Sequence, residues 1–109
     1  MQHTSLVQGR WFTFTLSQQL GNIGSEFERA AKWVSVNDAV RFEGALARFL
    51  ELLDLTISDP RWTGFRRQEL LRLREVATGA LLEEGSGSAR ESLKKYFYYF
   101  ELAAARPRV

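Results

Sequence analysis

The sequence predicts an all-α chain, an antiparallel up-and-down four-helix bundle with an extended N-terminal arm over residues 1–15. Three observations carry that expectation. Apolar residues recur at steps of three and four through four successive stretches. The stretches are joined by connections of a few residues, which favours antiparallel neighbours. No two segments share the period-two alternation that lets strands pair. A three-helix core with a docked fourth helix is the alternative packing of the same segments.

Within the arm, RWFTFTL at 10–16 places Phe12, Phe14 and Leu16 on one alternating set. With no strand partner in sight, the segment reads as an extended arm packed on helices or on a neighbouring subunit. Thr15 and Gln18 then have the capping-box spacing, so a first helix starts near Leu16 and runs to about 34. Leu16, Leu20, Ile23, Phe27, Ala30 and Val34 form its apolar stripe, with Gln18, Gln19, Glu28, Arg29 and Lys32 on the flanks. Gly21 and Gly24 each cost about 1 kcal/mol against alanine inside a helix, and the close approach of another backbone is the reason to expect them there.

The string SVND at 35–38 offers N-caps for a second helix over about 39–58. Its apolar arc, from Phe42 through Phe49 and Leu53 to Ile57, is wide enough to touch two or more elements, which places this helix at the centre. Asp59-Pro60 stops it, and a turn through Arg61, Trp62 and Gly64 leads to a third helix over about 65–82. Gly85-Ser86-Gly87-Ser88 is a flexible connector. Ser88 and Glu91 have the spacing of a second capping box, opening a fourth helix over about 89–105 that Pro107 ends.

At 109 residues, 45% hydrophobic and with two prolines, the chain makes one domain, 1–109, with a real core; global disorder is excluded. No cysteine is present, which removes disulfides, thiolate metal sites and cysteine nucleophiles. The single histidine, His3, makes a multi-histidine metal site or a Ser-His-Asp arrangement within one chain untenable. No cofactor is implied. No apolar run reaches the ~18 residues of a membrane span and MQHTSLVQGRWFTFTL is not built as a leader, so the expectation is a cytoplasmic protein without a membrane partner.

Net charge is only +2, so charge arguments rest on local clusters. Arg61, Arg66, Arg67, Arg72 and Arg74 form the densest one, broken only by Glu69. Arginine forks suit phosphate, which makes these residues candidate polyanion ligands. At 100° per residue the five do not share one stripe, however, and pairing with Glu69, Glu75 and the acids of the second helix explains them as well. Lys94 and Lys95 precede Tyr96, Phe97, Tyr98, Tyr99 and Phe100, a mixture on which single-stranded bases stack. Leu93, Tyr96, Phe97, Phe100 and Ala104 also account for a core face, which leaves Tyr98 and Leu102 on the opposite side as candidate interface residues, together with Trp11, Phe12 and Phe14 of the arm.

Carboxylates at Glu26, Glu28, Glu51 and Asp54 lack the Glu-x-x-His partners of a bundle metal site. GNIGSEFERA lacks the strand and the Gly-Lys-Ser/Thr ending of a phosphate loop, so its glycines read as helix packing.

The strings RWFTFTLSQQLGNIGSEFERAAKW, ALARFLELLDLTISDPRW and QELLRLREV resemble a set of small uncharacterised bacterial all-helical proteins, a resemblance that spans about 10–76 and implies no activity. In architecture the chain is similar to HEPN bundles, often partners of minimal nucleotidyltransferases, and to accessory bundles of diversity-generating retroelements. HEPN ribonucleases carry an arginine followed shortly by histidine on a late helix. Here Arg90 is followed by ESLKKYFYYF, so that resemblance implies no nuclease activity. The expectation is therefore a non-catalytic helical interaction module, self-associating as a homo-oligomer or docking another protein chain. The alternative is a nucleic-acid-binding accessory protein using the arginines of the third helix.

Overall fold

The computed structural model describes residues 9–106, and among these the chain is all-helical, without a strand. Four long helices make the body: α1 (Leu16–Ser35), α2 (Ala39–Ile57), α3 (Gly64–Leu82) and α4 (Gly87–Ala105). The body measures 39 × 32 × 26 Å. His3, Pro107 and Arg108 lie outside the described residues.

Over 9–15 the extended arm is not what forms; residues 1–8 of the expected arm lie outside the described residues. Residues 9–11 are helical, and the chain turns at once, with the Thr13 and Phe14 amides donating to the carbonyls of Arg10 and Trp11 at 3.1 and 3.2 Å. Three alternating apolar residues are too short a pattern to distinguish a strand from a tight turn that folds two aromatics inward.

Thr15 starts α1 as expected. Its hydroxyl accepts from the Gln18 amide at 3.1 Å while the Gln18 side chain accepts from the Thr15 amide at 2.8 Å. The helix ends in a Schellman arrangement. Asn37 takes the left-handed conformation (φ 58°), its amide donates to the Val34 carbonyl, and the Asp38 amide donates to the Trp33 carbonyl. Asp38 then caps α2 by accepting from the Arg41 amide at 3.1 Å. One residue thus closes one helix and opens the next, which is why the connection is so short.

The α2–α3 corner is built on Asp59-Pro60. Trp62 N donates to the Asp59 carbonyl at 3.0 Å across Pro60, and the Asp59 carboxylate accepts from the Arg61 amide at 3.0 Å, an Asx-turn. The predicted second capping box does not form. α4 begins two residues earlier, at Gly87, which puts Ser88 inside the helix, and Glu91 instead accepts from Lys94 at 2.8 Å.

α1, not α2, is the central helix: it packs extensively on both α2 and α4, whereas α3 is held more lightly. Its small residues account for the close packing on α4. A Cβ at Gly24 would lie 2.5 Å from the Phe97 Cβ, and one at Gly21 would lie 3.2 Å from the Glu101 Cα, so these glycines let α4 approach. The core they permit centres on Phe27, Phe49 and Phe97, with ring centroids 5.3 to 6.3 Å apart.

Candidate functional site

Trp11, Phe12 and Phe14, expected at an outer contact, face inward. Trp11 is buried, meets Phe14 edge-on at 5.5 Å and donates its Nε1–H to Thr56 Oγ1 at 2.9 Å; Phe12 and Phe14 pack partly buried against the core. The Trp11 carbonyl accepts from Gln19 Nε2 at 3.0 Å, which also donates to Asp59 Oδ2 at 3.0 Å, while Gln19 Oε1 accepts from Trp62 Nε1 at 2.8 Å. Arg61 completes the knot. It donates to both Asp59 oxygens (Nε 3.1 Å, Nη2 2.7 Å), and Nη2 also reaches the Phe14 carbonyl at 2.6 Å. Burial pushes the Asp59 carboxyl up, but the hydrogen bonds from Arg61 and Gln19 together outweigh it and hold the pKa below its ordinary 3.8. Each side chain in the knot has a hydrogen-bond partner inside the chain, so the knot ties the N-terminal turn, α1 and the α2–α3 corner together.

Tyr98 and Leu102 are each 54% exposed, where the sequence placed them. They do not stand alone. Tyr99 is 67% exposed and Tyr96 is also open to solvent, which corrects the expectation that Tyr96 belongs to the core face. Tyr98, Leu102, Tyr99 and Tyr96 follow one another at i+4 and i+3 steps, and Tyr96 and Tyr99 both meet the half-buried Phe100 edge-on at 5.2 and 5.4 Å. Only Leu93 and Phe97 of α4 are fully buried, because the lightly packed α3 covers little of it. Partial burial and then the Glu69 charge raise the Tyr96 pKa against the opposing charge of Arg66, which puts this flank of α3 beside it. Phe65, 75% exposed, and Val76 continue that flank at helical spacing from Glu69.

The arginines are not drawn into one cluster. Arg61 is locked on Asp59, and Arg74 grips Asp54 of α2 through Nε at 2.6 Å and Nη2 at 3.3 Å. Arg66 lies 3.8 Å from Glu69, and Arg67 and Arg72 are exposed. On α4, Lys94 pairs with Glu91, holding that carboxyl below its ordinary range, and Lys95 is exposed. Among the candidate carboxylates, Glu26 takes Arg29 and Arg48, and Asp54 takes Arg74. No group of three or more His, Asp or Glu suited to a metal ion occurs among the described residues. No helix among them is long and apolar enough to cross a membrane.

Two groupings escape the sequence. Gln19 lies on a flank of the α1 pattern yet is fully buried, and its partners Asp59 and Trp62 are about 40 residues away, so no local signal marks the knot. Trp33 stands between Lys32 and Arg41, whose charged groups lie 4.9 and 5.0 Å from its ring centroid. Lys32 next to Trp33 is visible in sequence; the arrival of Arg41 across the α1–α2 turn is not. Comparison with family models, curated proteins and solved structures finds no match for the chain.

Proposed function

We propose that this chain is a non-catalytic helical interaction module that self-associates through the outer face of α3 and α4. The observation that carries the reading is the set of exposed side chains Tyr98, Leu102, Tyr99 and Tyr96, linked by i+3 and i+4 steps on α4, with Phe65 and Val76 exposed on α3. At roughly 200 Å² for a whole aromatic side chain, the exposed parts of these six residues amount to about 600 Å². That approaches the ~800 Å² per partner of a standard interface and stands at the upper end of the roughly 300–600 Å² of the largest apolar patch on a typical monomer. Tyrosine-rich surface is the composition of an interface. Glu69, Arg72 and Lys95 lie among these side chains at helical spacing and give the face both signs, which a two-fold-related copy satisfies reciprocally.

The four helices take an up-and-down order in this reading. Short connections at 36–38, 58–63 and 83–86, together with packing of each helix on the next and of α4 back on α1, support it.

Sedimentation velocity over a wide concentration range tests the proposal. The wild-type chain is expected to form a dimer that dissociates on dilution, and Tyr99→Glu with Leu102→Glu to stay monomeric with unchanged helical circular dichroism. A wild-type chain that remains monomeric at the highest accessible concentration overturns it.

A further inference from the structure

The groupings that tie the molecule together lie outside α3. The Phe27, Phe49 and Phe97 rings belong to α1, α2 and α4, and α1 packs extensively on both of the others. The Asp59 knot closes the α2–α3 corner through Arg61 and Trp62, before α3 begins at Gly64. A three-helix core with its corner already tied is therefore a cooperative unit in its own right.

α3 is the least supported helix, on several independent grounds. Thr63 gives it no side-chain cap, whereas α1 has its capping box and α2 has Asp38. α4 lacks a cap too, but Gly21 and Gly24 seat it closely on α1. The charges at the ends of α3 oppose its dipole: Arg66, 3.8 Å from Glu69, and the exposed Arg67 stand in the first turn, and Glu83 and Glu84 lie just past the last. Of its large apolar side chains only Leu70, Leu73 and Leu81 are buried, while Phe65, Val76 and Leu82 are more than half exposed. Its polar ties to α2 and α4 are the solvent-open Arg74–Asp54 pair and a bond from Arg90 Nη1 to the Ala80 carbonyl at 3.1 Å.

Both ends of α3 are built to turn. Gly64 and Gly85 take the left-handed conformation (φ 55° and 76°), and a Cβ at either would meet nothing within 4 Å, so a change of φ and ψ there disturbs no packing. We infer that α3 is a hinged strap, which opens as one unit between Gly64 and Gly85 while α1, α2 and α4 stay packed. Opening bares Leu70, Leu73 and Leu81 and carries Phe65 and Val76 away from the α3–α4 face. Every ground for the opening lies within one chain and stands apart from the proposed association; its consequence, that the closed strap completes the docking face, rests on that reading.

Native-state hydrogen exchange of the full chain at high dilution, across urea concentrations below the unfolding transition, is the test. The amides of residues 70–81 are expected to share one urea dependence, at least about tenfold less protected than those of α1. Its slope is expected to be shallower, because opening α3 exposes less surface than unfolding the chain. Phe27→Leu weakens the core that the opening leaves packed, and is expected to speed α1 exchange about tenfold and leave α3 exchange unchanged, at retained helical circular dichroism. One urea dependence common to α1 and α3, exchange of α3 amides one by one without urea dependence, or an equal acceleration of α3 in Phe27→Leu overturns the proposal. A chain that stays monomeric at every concentration while α3 still opens separately overturns the association alone and supports the strap.

Discussion

Asp59 is the residue on which the N-terminal turn, α1 and the α2–α3 corner converge. It is 1% exposed, and both its oxygens accept hydrogen bonds, so its charge is compensated only while Arg61 and Gln19 are in place. Asp59→Asn keeps the shape but leaves the Arg61 guanidinium without its counter-charge; the expected loss is about 2–3 kcal/mol in urea unfolding, less than for a fully buried pair because Arg61 is part-exposed. The pH dependence has a definite sign. Because the folded-state pKa lies below the ordinary 3.8, the carboxylate's contribution is fully present above that value and is lost as pH falls through the folded pKa. Stability of the wild type and of Asp59→Asn should therefore differ at neutral pH and converge in acid below pH 3.8. A gap that persists unchanged in acid would mean that the charge of Asp59 contributes nothing.

At the scale of the helices, two glycines of the same type predict opposite outcomes. Gly24→Ala places a methyl group against the Phe97 Cβ, and since α1 and α4 must move apart to admit it, the expected cost is about 1–3 kcal/mol. Gly44→Ala meets only a flexible guanidinium and is expected to raise stability by about 0.5–1 kcal/mol through helix propensity and the unfolded chain. Urea midpoints of the two variants, measured side by side, check both signs. This contrast also shows where sequence reading reaches its limit. The stripe of α1 and its capping box were legible because each depends on neighbours within one or two turns, and the close approach at Gly21 and Gly24 because glycine inside a helix is disfavoured, although Glu101 and Phe97, which they admit, are not marked there. The turn at 10–14 and the start of α4 were not: the first is decided by partners 40 or more residues away, Thr56 and Arg61, and the second by two residues of helix that a plausible Ser88–Glu91 signal hides. The exposed Tyr98 and Leu102 followed from helical spacing alone. Tyr96 and Tyr99 depend on how little of α4 the third helix covers, which no single-helix pattern contains.

For the whole molecule, the unequal packing of the helices connects the fold to its proposed association. α1 with α2 and α4 forms the firm part, whereas α3 closes the structure with fewer contacts and leaves apolar surface on α4 open. In a chain of this size the fraction of surface buried on folding is modest, so stability left unrealised on one face is a substantial share of the total. A copy docked on that face binds the folded state alone and shifts unfolding by mass action. The melting temperature should therefore rise with protein concentration in the wild type, and Tyr99→Glu with Leu102→Glu should melt at one temperature across the same range. Because the two substituted side chains are exposed, the variant at high dilution should match the dilute wild type, separating lost association from a weakened monomer. A wild-type melting temperature independent of concentration would instead mean that α3 and α4 reach their full stability within a single chain.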